Sequence, residues 1–433
     1  MKIAELYEIY LNFPQVQTDS RHIQPGDLFF ALKGPNFNGN LYARRALEAG
    51  AAYAIVDESM AEKDPKILVV EDVLTTLQQL ARFHRETFDI PFIGITGSNG
   101  KTTTKELVHA VLNSRQKTYT TQGNLNNHIG IPLTILKIKK DARIAVIEMG
   151  ANHLGEIAGY CLYAQPTIGI ITNCGKAHLE GFGSEAGVRK GKGELFDYLR
   201  ATGGTCFAYG DYPYFEEMTK GIKEVNWYCS DPAFPIKAPL VHGGIFKSDP
   251  YLEIQLENQG VIVKSNLVGS YNLPNVLCAV ALGRYFKISD EDIRTAIENY
   301  QPSNSRSQLI KSGTNEIILD AYNANPSSMH VAITNFARME GEKKILILGG
   351  MKELGRQSVE EHQKLLELIQ RYSWEEVVLV GPEFADLHGT MRWFEGNQTA
   401  RDWFQSQDFR HTLILIKGSR SNALEKLLES TLK

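Results

Sequence analysis

A glycine-rich stretch followed by a lysine and three threonines is the part of the sequence best suited to chemistry. Residues 92–104 read FIGITGSNGKTTT, with an apolar run before the glycines and a helical pattern after them. Glycines let the backbone curve round a phosphate group, so that N–H groups and a helix N-terminus point at the anion. We therefore predict a phosphate-binding loop formed by Gly97, Ser98, Asn99, Gly100, Lys101, Thr102 and Thr103.

Two side chains of this loop have distinct expected roles. Lys101 is expected to reach the β- and γ-phosphates of a nucleotide, and the Thr102 hydroxyl to hold Mg²⁺. The spacing departs from the strict pattern, because the residue five positions before Gly100 is Ile95 and not glycine. A strand-to-helix turn that binds nothing is the alternative interpretation. The strand and helix patterns on either side favour phosphate binding.

Three other residues stand where chemistry is possible. Glu148 ends the apolar run 144–147, where a carboxylate is poorly placed for packing but well placed to bind Mg²⁺ beside a nucleotide. His178 follows the apolar run 168–172, and a neutral imidazole can bind a metal, although a single histidine is more often structural. Lys192 lies among other charged residues, and nothing distinguishes it from a solvated helix face.

Two polar loops are compatible with either ligand binding or local structure. The loop at residues 123–132 contains Asn126 and Asn127, whose amides could contact a ligand or cap the following helix. Arg21, beside Ser20, could bind a phosphate or carboxylate. A turn with a surface ion pair is an equally good interpretation of Arg21.

The composition of the 433-residue chain is that of an ordinary globular protein, with 43% apolar and 22% charged residues. The net charge of −4 argues against nucleic acid or an anionic membrane as the main partner. Five scattered cysteines without a C-x-x-C pair favour free thiols over disulfides or a zinc site. No apolar run approaches the roughly 18 residues of a membrane span, and the first residues lack a signal-peptide core. We therefore expect a cytoplasmic protein without membrane insertion.

Alternating strand and helix patterns predict an α/β fold with three domains. We expect a small N-terminal α/β domain over residues 1–84, a central P-loop-type domain with a mostly parallel sheet over 85–301, and a C-terminal Rossmann-like α/β domain over 302–433. Ligands of such sheets bind at the carboxyl ends of the strands. Polar residues that follow apolar strands are therefore the best candidates for the site.

The individual elements follow from hydrophobic periodicity and turn residues. Strands are predicted at residues 27–32, 54–56, 67–70, 92–95, 144–148, 168–172, 317–319, 344–348, 377–380 and 413–416. Helices are predicted at 41–49, 73–88, 101–112 and 290–299, with another beginning near Pro274, a hairpin within 240–267 and a linker at 301–305. The loops at 320–326, 349–355 and 417–420 are expected to form one side of a cleft.

Taken together, these residues resemble the Mur ligases, ATP-dependent amide ligases that build the stem peptide of bacterial peptidoglycan. The resemblance covers nearly the whole chain and rests on motifs in the family's order. They lie at residues 18–27, 96–102, 123–132, 148–157, 177–183, 322–326 and 417–420. The family's own loop pattern also accounts for the missing glycine of the strict phosphate loop.

The resemblance implies a metal site. Glu148 and His178 correspond to ligands of Mg²⁺ in the family, beside Thr102 of the phosphate loop. Lys192 corresponds to a carbamylated lysine, and a carbamate would turn this cation into an acidic oxygen ligand. Lys190 is the alternative register for that lysine.

The resemblance also implies how ATP is bound. Asn272 and Asn275 correspond to residues that contact adenine, and Asp320 to a residue that binds the ribose. Arg306 corresponds to an arginine that reaches the γ-phosphate from the last domain. The catalytic residues implied in this way are Lys101, Lys192, His178 and Arg306.

The pattern is most similar to the members that join D-alanyl-D-alanine to UDP-N-acetylmuramoyl-tripeptide, and it implies a monomer. The D-N-P-R tetrapeptide of a diamino-acid-adding sibling is absent. Two departures, Tyr271 in place of histidine and Gly350 in place of aspartate, concern binding details. Substrate-binding roles are implied for Ser20, Arg21, Asn126, Asn127, Asn323, Asn325, Ser419 and Arg420.

Two alternatives to this function are compatible with the sequence. A related ligase could add a different amino acid or act on another acid, such as a polyglutamate. A non-catalytic ATP-binding switch could use the glycine loop alone. Glu148, His178 and Lys192 together argue against the switch, since a switch does not need a second metal site.

Overall fold

The computed structural model describes residues 1–59, 64–231, 239–256, 260–302 and 305–429. Its strands form a four-stranded, a nine-stranded and a six-stranded sheet in chain order, with a two-stranded ribbon near the first. The mixed α/β class predicted from the sequence is confirmed. The domain boundaries at residues 84/85 and 301/302 stay a prediction.

The first sheet is parallel, in the order β1-β2-β5-β6. The predicted strands are confirmed with bounds that differ by one or two residues, and the predicted helix at 41–49 divides into a 3₁₀ helix and α2. The elements are α1 (Ile3–Asn12), β1 (Val16–Gln17), β2 (Leu28–Phe30), β3 (Lys33–Gly34), β4 (Phe37–Asn38), a 3₁₀ helix (Gly39–Tyr42), α2 (Ala43–Glu48), β5 (Tyr53–Val56), β6 (Ile67–Val69) and α3 (Val73–Arg85).

The second sheet has the order β15-β14-β13-β12-β11-β10-β7-β9-β8, parallel from β8 to β13 and antiparallel beyond. Its elements are β7 (Phe92–Thr96), α4 (Lys101–Asn113), β8 (Thr118–Thr120), α5 (Gly130–Leu136), β9 (Ile144–Glu148), α6 (Glu156–Ala164), β10 (Ile168–Ile171), α7 (Leu179–Phe182), α8 (Glu185–Thr202), β11 (Thr205–Tyr209), α9 (Tyr214–Met218), β12 (Glu224–Cys229), β13 (Val241–Lys247), β14 (Tyr251–Leu256), β15 (Val261–Val268), a 3₁₀ helix (Ser270–Asn272), α10 (Leu273–Tyr285) and α11 (Asp290–Asn299). The predicted hairpin is β14 and β15; its turn residues 257–259 lie outside the described residues.

The third sheet has the order β16-β17-β21-β18-β19-β20, parallel except for the edge strand β16. Residues 303–304 of the predicted linker lie outside the described residues. The elements are β16 (Gln308–Ser312), β17 (Asn315–Asp320), α12 (Pro326–Arg338), β18 (Lys343–Gly349), α13 (Ser358–Ile369), β19 (Glu376–Val380), β20 (Arg392–Phe394), α14 (Asn397–Ser406), β21 (Thr412–Lys417) and 3₁₀ helices at Gly355–Gln357, Pro382–Phe384, Arg420–Asn422 and Leu424–Leu428.

The central strands are continuous apolar runs because helices cover both faces of the sheet. Every residue of β7, β9 and β10 is buried, so hydrophobic alternation is absent there. All five cysteines are buried and none of them is in a disulfide, as predicted. Among the described residues, no helix has the length and apolar character of a membrane span.

The second and third sheets meet across a cleft, and α12 lies along this boundary. Beside its N-terminus, Asn325 donates a hydrogen bond to Asn99. Further along α12, Asn335 accepts hydrogen bonds from Ser270, and just past its end the Glu340 N–H donates to Asp249. The contacts at both ends of α12 hold the two parts together in a closed arrangement.

Candidate active site

A cleft of about 540 Å³ lies where the carboxyl ends of β7, β9 and β10 face those of β17 and β21. This is the edge at which a parallel sheet binds its ligands. The cleft brings together most of the predicted site residues, namely Ser98, Asn99, Gly100, Lys101, Thr102, Thr103, Asn126, Glu148, His178, Asn272, Asn275, Arg306, Asp320, Asn323 and Asn325.

The phosphate loop folds without the strict first glycine because Ile95 belongs to the buried strand β7. Gly97 and Gly100 have φ angles of +142° and +78°, which disfavour other residues. A Cβ atom on Gly97 would lie 2.0 Å from the Thr172 hydroxyl oxygen. The loop is held by the end of β10, where the backbone N–H of Asn99 donates to the Asn173 side chain at 3.1 Å.

The ammonium of Lys101 rests on its own loop. Nζ donates to the carbonyl oxygens of Gly97 at 2.6 Å and Ser98 at 3.1 Å. Burial lowers the pKa of Lys101 to about 8, opposed by the charge of Glu148 and reinforced by Arg306. A phosphate in the cleft would replace two weak neutral acceptors with a charged partner, which is the role predicted for this lysine.

Glu148, at the end of β9, is 1% exposed, and only one of its two carboxylate oxygens accepts hydrogen bonds from the described residues. Its Oε1 accepts hydrogen bonds from Thr102 Oγ1 at 3.2 Å and Asn126 Nδ2 at 2.8 Å. Its Oε2 is buried without a hydrogen-bond partner, with Lys105 Nζ 4.0 Å away. A buried carboxylate oxygen lacking a donor fits a cation, so the residues present agree with the predicted Mg²⁺ site.

The described residues bring no three His, Cys, Asp or Glu side chains together as a metal-binding cluster. A divalent cation at Glu148 would therefore complete its shell with oxygens from Thr102, bound phosphate or water. This is the usual arrangement for Mg²⁺, which keeps several waters and is bound through one or two carboxylates plus substrate phosphates.

His178 lines the cleft with a left-handed backbone, at φ +52°. Its Nδ1 lies 2.5 Å from Oε2 of Glu353. This contact with His178, opposed by burial, holds the pKa of Glu353 below its usual value. Glu353 comes from the third sheet's side of the cleft and is a site residue that the sequence analysis missed.

Lys192 lies on α8, and the expectation of a solvated helix face is wrong for it. The side chain is 0% exposed, and Nζ donates to the Ala151 carbonyl at 2.7 Å. Burial lowers the pKa of Lys192 to about 7, with the charge of Lys101 adding to the effect. Lys190, the alternative register, is exposed.

The predicted adenine residues are bonded to their neighbours. Asn275 Nδ2 donates to Asn272 Oδ1 at 2.9 Å, and Asn272 Nδ2 donates to the Val268 carbonyl at 2.9 Å. The Thr104 hydroxyl donates to Asn275 Oδ1 at 3.0 Å. Tyr271, the departure from the family pattern, contacts the Ser307 hydroxyl at 2.9 Å.

The opposite wall of the cleft carries three charged side chains. Arg306 stacks on Tyr322, with 3.7 Å between the guanidinium carbon and the ring centroid, and its Nε is buried without a hydrogen-bond partner. Asp320 accepts a hydrogen bond of 2.6 Å from Lys417 Nζ. Lys417 ends β21 and lines the cleft, as predicted for the loop at 417–420.

Seven predicted site residues lie outside the cleft lining. The Arg21 guanidinium pairs with Asp19 at 2.6 Å, the surface ion pair that the sequence left open. Asn127 accepts from the backbone N–H groups of Ile129 and Gly130, a capping role at α5. The other five are Gly97, Lys192, Ser20, Ser419 and Arg420. The Gly97 carbonyl accepts from Lys101, and Lys192 is buried. The Ser419 hydroxyl accepts from the Lys352 N–H, and Arg420 pairs with Glu425.

Several lining residues were not predicted as site residues. Tyr212 and Tyr214 stack on each other, with ring centroids 5.5 Å apart, beside the phosphate loop's cleft. Asn152 and Asn173 also line it. Asn173 follows directly after the 168–172 run, so its position at a strand end was the available signal.

Comparison with known families gives three matches in chain order. The Mur ligase family catalytic domain matches residues 12–85, the Mur ligase middle domain matches 95–283, and the glutamate ligase domain of Mur ligases matches 305–420. The order is that of the motifs in the sequence.

Individual relatives match over the full length. The UDP-N-acetylmuramoyl-tripeptide--D-alanyl-D-alanine ligase of Bacillus subtilis is 33% identical, over 100% of this chain and 97% of the relative. The MurF crystal structure from Acinetobacter baumannii has a TM-score of 0.86 at 30% identity, over 96% of this chain and 93% of that one. The MurF ligase from Thermotoga maritima, in complex with ADP, has a TM-score of 0.85 at 26% identity, over 97% of each chain. The chain therefore belongs to the Mur ligase family.

Proposed function

We propose that this protein is an ATP-dependent ligase that joins D-alanyl-D-alanine to UDP-N-acetylmuramoyl-tripeptide in peptidoglycan synthesis. The observation that carries the proposal is that the phosphate loop and Arg306 line one cleft from opposite sides. Full-length relatives named for this reaction support the choice of substrates. We further propose that the protein acts in the cytoplasm as a monomer.

The chemistry begins with a carboxylate that does not react with an amine at neutral pH. The terminal carboxylate of the tripeptide attacks the γ-phosphorus of ATP, and the bond to the β–γ bridging oxygen breaks, giving an acyl phosphate and ADP. The amine of D-alanyl-D-alanine then attacks the acyl carbon, loses a proton, and expels phosphate. The protein contributes positioning and charge neutralisation, as in other phosphoryl transfers.

Cations from both sides of the cleft supply that neutralisation. Lys101 is released from two carbonyl oxygens to meet the β- and γ-phosphates, and Arg306 has a free Nε to donate. Because these residues stand on different domains, turnover requires the closed arrangement. The loop N–H groups at the start of α4 add the positive end of a helix dipole.

We propose that Thr102, Glu148 and His178 hold Mg²⁺, with a carbamate on Lys192. When bound, Mg²⁺ would neutralise phosphate and carboxylate charge. The unpartnered Glu148 Oε2 supports the cation, and the lowered pKa of Lys192 supports the carbamate. A neutral amine is the form that combines with CO₂, and burial keeps much of this lysine neutral near pH 7.

Binding of the nucleotide and peptide is assigned as the resemblance implies. We propose that Asn272 and Asn275 contact adenine and that Asp320 binds the ribose. The UDP group is assigned to the N-terminal domain, at Ser20 and Arg21. Binding there requires the Arg21 guanidinium to leave its ion pair with Asp19 and to pair with a phosphate of UDP. The peptide is assigned to residues on both sides of the cleft, namely Asn126, Asn127, Asn323, Asn325, Ser419 and Arg420.

Phosphate release from ATP and Mg²⁺ tests the proposal, measured with each substrate alone and with both. Release that depends on UDP-tripeptide and D-alanyl-D-alanine together, with an amide product, is the expected result. Release with another amine or acid would keep the chemistry and change the substrate. Tight ATP binding without release for any pair would contradict the ligase and leave a nucleotide-driven switch.

A further inference from the structure

Residues 175–180, which connect β10 to α7, are bound by the third-sheet domain at both ends. At the first end, the Lys176 N–H donates to the Ser327 hydroxyl at 2.9 Å. A Cβ atom on Gly175 would lie only 2.7 Å from that same oxygen, so the close approach requires glycine. At the other end, the Glu180 N–H donates to the Glu353 carbonyl at 3.1 Å.

The side chain of Lys176 adds an ion pair across the same boundary. Its Nζ lies 2.9 Å from Oε1 of Glu361 on α13. The Glu361 side chain is 5% exposed, and a carboxylate so buried requires a charged partner. Its second neighbour, Lys364 at 3.3 Å, also pairs with Glu360 at 2.5 Å. Lys364 thus divides its charge between Glu360 and Glu361. The stronger partner of Glu361 is therefore Lys176, which belongs to the opposite domain.

His178 stands midway between these two points of attachment. Its backbone is left-handed, a conformation that costs free energy for a residue other than glycine. Such a conformation persists when contacts on both sides of the residue hold it in place. Those flanking contacts are made to the third-sheet domain at Ser327, Glu361 and Glu353. The segment around His178 is thus held by a domain to which it does not belong, while the His178 carbonyl accepts from the N–H groups of Gly181 and Phe182.

We propose that Lys176 and Glu361 are positioning residues that couple docking of the C-terminal domain to the placement of His178. When the domain docks, the ion pair forms and fixes the 175–180 segment, so that His178 faces the cleft. When the domain leaves, Glu361 regains water and the segment relaxes. The role of His178 rests on the function proposed above, whereas the coupling of the segment to docking does not.

The test compares full-length variants that differ at one charge. Glu361→Gln and Lys176→Met each remove the ion pair from one side. If one of these variants fails to fold, the other still tests the proposal. Glu367→Gln is the matched control, because Glu367 is exposed on the same helix, beyond Glu361 and Lys364. A double charge reversal, Lys176→Glu with Glu361→Lys, restores the pair in the opposite sense.

Amide hydrogen exchange of peptides covering residues 175–180 gives a readout that does not depend on activity. With ADP and Mg²⁺ present, we expect exchange about fivefold faster or more in both single variants, wild-type exchange in Glu367→Gln, and recovery in the double reversal. In phosphate release, we expect kcat to fall about tenfold in the single variants while the KM for ATP changes little, because the phosphate loop is untouched.

Wild-type exchange and kcat in Glu361→Gln and Lys176→Met would overturn the proposal. Slow turnover that the double reversal does not recover would overturn it as well, since the ion pair would not be the cause. A wild-type protein that forms no amide with any substrate would instead contradict the proposed function. The hydrogen-exchange comparison would still decide whether docking of the C-terminal domain fixes the conformation of residues 175–180.

Discussion

The side-chain amide of Asn325 donates a hydrogen bond of 2.7 Å to the side-chain oxygen of Asn99. Asn99 belongs to the phosphate loop, and Asn325 caps α12 through its own Oδ1, which accepts from the Ser328 N–H at 2.9 Å. One residue thus begins a helix of the C-terminal domain and touches the loop of the central domain. The two functions use different atoms, so they can be separated by substitution.

Asn325→Ser keeps a good helix cap and removes the amide that reaches Asn99. We expect a melting temperature close to that of the wild type and a fall of about tenfold in kcat/KM for ATP, which corresponds to one hydrogen bond of about 1.4 kcal/mol. Thermal unfolding and steady-state phosphate release measure the two quantities. Asn325→Ala is the comparison that loses the cap as well. Unchanged kcat/KM in Asn325→Ser would show that the contact has no role in turnover.

Lys101→Ala is expected to abolish turnover without unfolding the protein. Among the described residues the ammonium bonds to two carbonyls of its own loop, and burial, which lowers its pKa, disfavours the charged form. Removing it therefore relieves a burial penalty, and we expect a melting temperature no lower than that of the wild type. We expect phosphate release to fall by about 10³ or more. A near-normal rate would contradict the phosphate assignment.

Lys192→Ala is expected to lose activity that added short carboxylic acids partly restore, because the acid supplies the oxygen ligand of the missing carbamate. Lys190→Ala, on the same helix but exposed, is the control and should retain activity. Phosphate release with and without the acid is the measurement. Rescue of the Lys190 variant instead would move the carbamate to that residue, and no rescue of either would count against a carbamate.

The lowered pKa of Lys101 predicts a proton coupled to ATP binding. At pH 7 this lysine, with a pKa of about 8, is mostly protonated, so ATP binding takes up only a small fraction of a proton. At pH 9 it is mostly neutral, and phosphate favours the charged form, so binding takes up about one proton and weakens as pH rises. Calorimetry in two buffers of different ionisation enthalpy measures the uptake. Equal heats in both buffers at pH 9 would contradict the prediction.

The sequence predicted elements best where the hydrophobic pattern has clear ends. The strand at 144–148 and the helix at 290–299 match β9 and α11 residue for residue. Four strands with many half-buried or exposed positions, β12, β13, β16 and β20, were not predicted as separate strands. Strand preference at such positions depends on the neighbouring strands and leaves a weak local pattern.

Lys192 shows how a local pattern was outweighed. Charged residues lie close to it in sequence, at Arg189, Lys190 and Glu194, which is typical of an exposed helix face. At helical spacing, however, it falls in line with Val188, Leu195 and Leu199, all buried. That periodicity was the available signal. The sequence indicated only the 349–355 loop around Glu353 and did not mark Glu361, because their contacts with His178 and Lys176 cross to another domain.

The cleft whose walls belong to two sheets limits how this chain can be recombined. Part of the third sheet's apolar surface packs in a core of its own, so a C-terminal domain from a relative could fold after grafting. The graft would still have to present Asn325, Glu353 and Glu361 to segments of the central domain that are inherited separately. A functional chimera therefore requires the two halves to be chosen as a matched pair, with the phosphate loop and residues 175–180 transferred together with the domain that contacts them.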